Sequence, residues 1–160
     1  WIKKGKEQYV PTTGSRTCLN IAGAINLESL EVMMQDYDKI NSEKFIDFLK
    51  LLESCYPTAP KIHFFIDQGS YHTSEETKKY AESSRIVLHY LPTYSPNLNP
   101  IERLWKIMHE YVSNNRFYLK GKEFTAAVKY FFDKTVHEIK DVIQSRVTDN
   151  FERLNTQFSF

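Results

Sequence analysis

Asp67 closes the apolar run Lys61 to Ile66, and Glu102 opens a helix reached after a second apolar run, Ile86 to Leu91. Acids in such places suit chemistry at phosphorus. Hard divalent cations take oxygen ligands, usually only one or two protein carboxylates, and leave positions for water and phosphate. Two such ions, about 3.5 to 4 Å apart, activate an attacking oxygen and stabilise the leaving one during in-line displacement. The acids need only be ionised and correctly placed. Each also has a plainer reading. Asp67 can open an Asx turn. Glu102 stands three residues after Asn99 and four before Lys106, so it can complete a capping box or a surface ion pair worth about 0.2–0.5 kcal/mol.

The elements around the two acids decide whether they can meet. Ile62-His63-Phe64-Phe65-Ile66, bounded by Pro60 and Asp67-Gln68-Gly69-Ser70, predicts a central strand buried on both faces. Thr73-Ser74-Glu75-Glu76 matches a capping box and predicts a helix over 74–83. Ile86 to Leu91 is the next strand. Strand, helix, strand is a crossover unit, so the two strands should be parallel. In open α/β sheets, ligands gather beyond the carboxyl ends of parallel strands. Pro92 and Ser95-Pro96-Asn97 then form a loop, and Asn99 caps a helix with Pro100 at its first position, where a missing N–H costs nothing. Ile101, Leu104, Trp105, Met108, Tyr111 and Val112 share its apolar stripe, opposite Glu102, Lys106, His109 and Glu110.

Upstream, Glu7 to Val10 is a short strand candidate, followed by the turn-rich Pro11 to Ser15. Leu19 to Ile25, with Ala22, Gly23 and Ala24, reads as a buried strand crossed closely by another element. Asn26 to Ser29 links it to a strand at Leu30 to Met34, and Asp36 beyond that reads as a charged turn. Asn41-Ser42 caps a densely apolar helix that stops at Tyr56-Pro57. After Asn115 the chain reads as helical. Phe124, Val128, Phe131 and Phe132 make one stripe; Val136, Ile139, Ile143 and Val147 make another, opened by a second capping box at Thr135 and Glu138, with Phe151 and Leu154 as a continuation.

Composition sets the class. At 160 residues with 41% hydrophobic and 14% aromatic content, the chain is long and apolar enough for a globular core, which excludes disorder. No run approaches the roughly 20 apolar residues of a membrane span. Cys18 and Cys55 lie far apart without Cys-x-x-Cys spacing, so they read as free thiols of a reducing compartment. The net charge of +1 does not announce a nucleic-acid binder, but its distribution is uneven. Residues 21–60 carry three lysines against seven acids, whereas Arg103, Lys106, Arg116, Lys120 and Lys122 oppose only Glu110. Basic residues therefore cluster in sequence after Glu102, although a solvated face has the same signature.

Asp67-Gln68-Gly69-Ser70-Tyr71-His72 resembles the Asp-Asn-x-x-x-His segment of transposases in the mariner-like and bacterial insertion-sequence superfamily, the DDE superfamily endonucleases. Leu91-Pro92-Thr93-Tyr94-Ser95-Pro96-Asn97-Leu98-Asn99-Pro100-Ile101-Glu102-Arg103-Leu104-Trp105 closely resembles their third-acid segment. The 34 residues between Asp67 and Glu102 equal that superfamily's usual gap.

The resemblance implies an α/β, RNase H-like (retroviral-integrase-like) catalytic domain: a mixed sheet flanked by helices, using Asp, Asp and Glu with two Mg²⁺ or Mn²⁺ ions. It implies hydrolysis at transposon ends and attack by the freed 3′-hydroxyl on target DNA. Asp67 carries over as the second acid and Glu102 as the third, both as catalytic residues and metal ligands. The implied partner is double-stranded DNA, with a homodimer in the full-length protein and a cytoplasmic, DNA-associated setting in bacteria. Residues 1–160 then read as one catalytic domain, with 122–156 as its C-terminal helices.

Two departures stand out. Gln68 replaces the usual Asn and keeps an amide. The first Asp should lie on a strand ahead of those near Tyr9 and Leu19, and the chain opens at Trp1 without an initiator Met, so it reads as a fragment lacking that strand and inactive alone. His72 is a candidate for a phosphate contact or for positioning Asp67. Tyr94, Arg103, Lys106, Arg116 and Lys120 are candidates for phosphate contacts, which place DNA without reading its sequence. Trp105 reads as a core anchor, and His63 and His89 as packed or edge residues. The rival readings are a non-catalytic remnant that binds DNA or a protein, and an RNase H-like nuclease without strand transfer.

Overall fold

In the computed structural model, residues 19–114 and 116–147 are described. The expected strand at Glu7 to Val10, the turn after it, Cys18, and the continuation through Phe151 and Leu154 lie outside the described residues. β1 (Asn20–Ile25) and β2 (Val32–Tyr37) form an antiparallel hairpin with Asn20 opposite Tyr37 and Ile25 opposite Val32. Asn26 builds the turn by accepting from the backbone of Glu28 and Ser29 through its side-chain oxygen. Leu30 is left-handed, at φ 58°. A residue in that conformation cannot continue a ladder, so the strand expected at Leu30 to Met34 starts two residues later and runs further. Asp36 is consequently not a turn residue. It pairs with Ile21 across the hairpin, and its carboxylate meets Lys129 at 2.8 Å.

Alternation splits the hairpin's side chains between two cores. Ile21, Ile25, Val32 and Met34 pack towards the C-terminal helices, whereas Ala22, Ala24, Met33 and Tyr37 pack towards the first helix and the parallel strands. That first helix, α1 (Ser42–Cys55), starts where the Asn41 side chain accepts from the Lys44 amide and stops before Pro57. It buries Phe45, Phe48, Leu49 and Leu52.

β3 (Ile62–Ile66) and β4 (Ile86–Tyr90) are parallel, joined through α2 (Glu75–Glu82), as the crossover pattern predicts. Ser74, not Thr73, caps α2, accepting from Thr77, while the Thr73 hydroxyl donates to the Gly69 carbonyl. Arg85 ties this unit to the end of α1 by donating to the carbonyls of Glu53, Tyr56 and Ala59. β3 is not buried on both faces. Ile66 is inside, but His63 is exposed and Phe65 is 57% exposed, stacked against His89. Helix α1 packs on one face of this strand pair, where Phe45 stacks on Phe64.

α3 (Pro100–Val112) buries Leu104, Ile107, Met108 and Val112; Ile107 completes the stripe read from sequence. After it, α4 (Gly121–Tyr130) passes into a π turn (Phe131–Thr135), then α5 (Val136–Glu138) and α6 (Lys140–Arg146). The wider π turn lets adjacent Phe131 and Phe132 both enter the core. Its phase shift also merges the two apolar stripes into one path, so Thr135 stays helical and caps nothing. Arg146 closes the bundle with a two-pronged ion pair to Glu110 of α3, both bonds 2.6 Å long. Among the described residues the strands form two two-stranded sheets, β1–β2 and β3–β4. Residues of both β1 and β3 line one cleft of about 650 Å³.

Candidate active site

Asp67 is the first residue past β3, and backbone geometry holds it there. Its Oδ1 accepts from the Gly69 amide at 3.1 Å, an Asx turn, and from His72 Nδ1 at 2.6 Å. The same Nδ1 lies 3.2 Å from the Asp67 carbonyl oxygen. Both partners of Nδ1 are acceptors, so this nitrogen carries the proton. Gly69 makes the approach possible: a Cβ there would sit 3.1 Å from His72 Nδ1 and 3.3 Å from Asp67 Oδ1. The two side chains differ sharply in exposure, 63% for Asp67 and 11% for His72. The acid faces outward, and the imidazole beneath it is packed.

That packing is aromatic. The His72 ring lies 4.5 Å from the Phe45 ring and 4.2 Å from the Tyr71 ring, centroid to centroid. Burial pushes the His72 pKa below its ordinary value, outweighing the Asp67 carboxylate that pulls it up. Tyr71 moves upward, through burial first and the Asp67 charge second. The segment is also tied across to β4: Gln68 donates to the Leu91 carbonyl at 2.9 Å, and the Tyr90 hydroxyl donates to the His72 carbonyl at 3.0 Å. Gln68 thus uses its amide to staple the Asp67 loop to the start of the loop leading to Glu102.

Glu102 is placed by different means. Asn99 caps α3 by accepting from Ile101, so the helix starts at Pro100 and Glu102 falls in its first turn. No capping box forms with Glu102, and its carboxylate has no hydrogen-bond or ion-pair partner among the described residues. Packing fixes the helix. Gly23 of β1 lies under Trp105, where a Cβ would come within 2.7 Å of the indole ring, and Trp105 meets the Phe132 ring edge-on at 5.6 Å. Trp105 is therefore a core anchor, and the small residues of β1 admit it closely, as the sequence predicts.

Asp67, His72 and Glu102 line the same cleft, with Asn99 and Trp105 also on its wall. Tyr94, Arg103, Lys106, Arg116 and Lys120 do not line it. Lys106, Arg116 and Lys120 are exposed. Tyr94 is fully exposed at φ 58° in the loop before α3. Among the described residues no group of three or more His, Cys, Asp and Glu side chains gathers to hold a metal. The donors present still fit a hard cation in kind: two carboxylates lining one cleft, each with oxygen left over, are the protein share that Mg²⁺ usually takes. Sequence reasoning missed the part played by Gly69, for which the signal was a glycine two residues after an Asx-turn aspartate. It also missed Phe45, whose contact with His72 joins residues far apart in the chain.

Residues 1–125 match the family described as DDE superfamily endonuclease. An insertion element IS630 uncharacterized 39 kDa protein of Shigella sonnei is 28% identical over 134 residues, covering 83% of this chain and 39% of that protein. In three dimensions the chain is similar to the Mos1 strand transfer complex structure, with TM-score 0.63 and 14% identity over 95% of this chain and 50% of that one. The Mos1 transposase paired-end complex with left transposon end gives TM-score 0.63 and 13% identity, over 95% and 51%. These likenesses support the RNase H-like fold expected from the motifs. The chain spans about half or less of the length of the relatives it matches. With its family matched over most of its length, the chain belongs to the DDE superfamily endonucleases.

Proposed function

We propose that this chain is the metal-binding part of a transposase catalytic domain, in which Asp67 and Glu102 hold Mg²⁺ or Mn²⁺ for cleavage of DNA at transposon ends and strand transfer to a target. The observation that carries the reading is that two acids separated by 34 intervening residues line one cleft. Their segments also resemble those that carry the second and third acids in this family. Bound there, the ions would activate the attacking oxygen and stabilise the leaving one.

The chain's own residues have separate tasks. Asp67 offers the carboxylate oxygen that neither Gly69 nor His72 uses, and Glu102 offers a carboxylate with no described partner competing for it. Trp105 and Gly23 keep the Glu102 helix against β1. Arg103, Lys106, Arg116, Lys120 and Tyr94 would hold the DNA backbone outside the cleft, where charge positions a duplex without reading it. A third acid, expected ahead of β1, would complete the set. Residues 1–160 would then work as part of a longer protein, on double-stranded DNA and as a homodimer.

The test is cleavage of labelled transposon-end DNA by a longer protein that contains this segment. With Mg²⁺ or Mn²⁺ it should nick the end and join the 3′-hydroxyl to target DNA. Asp67→Ala or Glu102→Ala should each abolish both steps while DNA binding persists. Nicking that survives both substitutions would overturn the reading. Nicking without joining, even from a pre-nicked end, would instead favour an RNase H-like nuclease.

A further inference from the structure

We infer that His72 is a positioning residue for the Asp67 carboxylate: it saturates one oxygen so that the other is presented, in a fixed direction, to a cation in the cleft. The inference rests on the reading of Asp67 as a metal ligand and says how that ligand is oriented. Three observations carry it. Oδ1 receives two donors, the Gly69 amide at 3.1 Å and His72 Nδ1 at 2.6 Å. The His72 donor is packed, with a side chain only 11% exposed, while the Asp67 side chain is 63% exposed and lines the cleft. The donor ring cannot swing away, because Phe45 and Tyr71 pack against it at 4.5 and 4.2 Å and the Asp67 carbonyl oxygen, 3.2 Å off, also accepts from the same N–H.

An aspartate held only by its Asx turn would keep a choice of rotamers about χ2, and either oxygen could face the ion. Two convergent donors on one oxygen remove that choice. This is the outer-shell role by which a hydrogen-bonded partner fixes a ligating carboxylate, and losing such a partner weakens metal binding by about 10- to 100-fold in general. The geometry also accounts for Gly69, since a side chain there presses on both members of the pair.

The experiment measures binding of Mn²⁺ alone to the chain by the loss of free Mn²⁺ electron paramagnetic resonance signal, with thermal unfolding recorded for each variant. His72→Phe keeps a ring in the aromatic pocket and removes the donor; it should weaken Mn²⁺ binding about 10- to 100-fold. His72→Asn places an amide N–H close to the lost Nδ1 position and should recover most of that affinity, although it packs less well. Gly69→Ala, which preserves every donor, should weaken binding by a smaller factor without unfolding the chain. Equal Mn²⁺ affinity in the parent, His72→Phe and His72→Asn, with Asp67→Ala still abolishing binding, would overturn the positioning role and leave the metal reading standing. Affinity falling in step with thermal stability, with no recovery in His72→Asn, would also overturn it. Binding unaffected by Asp67→Ala, or absent from the parent chain, would overturn the metal reading itself.

Discussion

The two acids of the cleft are held in opposite ways. Asp67 is set by a knot of bonds closed within six residues, from Asp67 through Gly69 to His72, and by ties to β4. Glu102 is set by nothing that touches its carboxylate among the described residues; its place comes from α3, whose Leu104 and Ile107 are fully buried and whose Trp105 rests on Gly23. A ligand fixed by local hydrogen bonds tolerates movement of the surrounding core. A ligand fixed by packing inherits every disturbance of that core. Damage to the fold should therefore reach Glu102 first, while damage to the Asp67 corner should stay local.

Substitutions under α3 probe the packed side of this contrast most strongly. Leu104→Ala removes a fully buried side chain and should cost about 2–5 kcal/mol in urea unfolding. Gly23→Ala adds a methyl 2.7 Å from the Trp105 ring and should cost about 1–3 kcal/mol, because the indole and helix must shift together. Asn99→Ala removes the cap that fixes the first turn and should cost about 1 kcal/mol, with looser hydrogen-exchange protection confined to the start of α3.

The last probe is pH, applied away from both acids. The Tyr80 hydroxyl and the Arg85 amide donate to Glu53, and these bonds hold its carboxyl below the ordinary 4.5. A depressed carboxyl contributes stability that is present above its unfolded pKa and disappears as pH falls through the folded one. Unfolding midpoints should thus drop on acidification from about 4.5 downward. Tyr80→Phe should flatten that drop, since it removes the leading cause of the shift. An unchanged pH profile in Tyr80→Phe would show that the α1–α2 tie carries no such linkage.

The same contrast explains what the sequence disclosed. The Asp67 corner is short-range, so a capped helix, a crossover unit and an Asx turn could be read directly, and the parallel pair β3–β4 followed. The helix starts at Asn41 and Asn99 were equally legible, because capping is decided within three residues. Expectations that depended on distant neighbours fared worse. The apolar run of β3 predicts burial on both faces, yet Phe65 is open because covering a face is a tertiary matter. Thr135 matched a capping box, yet the π turn carries the helix through it to keep Phe131 and Phe132 in the core. Asp36 read as a turn, yet the β1–β2 ladder continues through it, opposite Ile21, and its counter-charge is Lys129, 93 positions later. The two acids were nominated by motif, but their shared cleft depends on Gly23 and Trp105, which spacing alone could not join.

Asp67 and Glu102 should belong to one metal site, and paramagnetic broadening tests this most directly. With Mn²⁺ added to the isotopically labelled chain, carboxyl-carbon signals of Asp67 and Glu102 should broaden together along one titration curve. Asp67→Asn should sharpen the Glu102 signal as well. Broadening of one acid without the other, or of neither, would contradict the account.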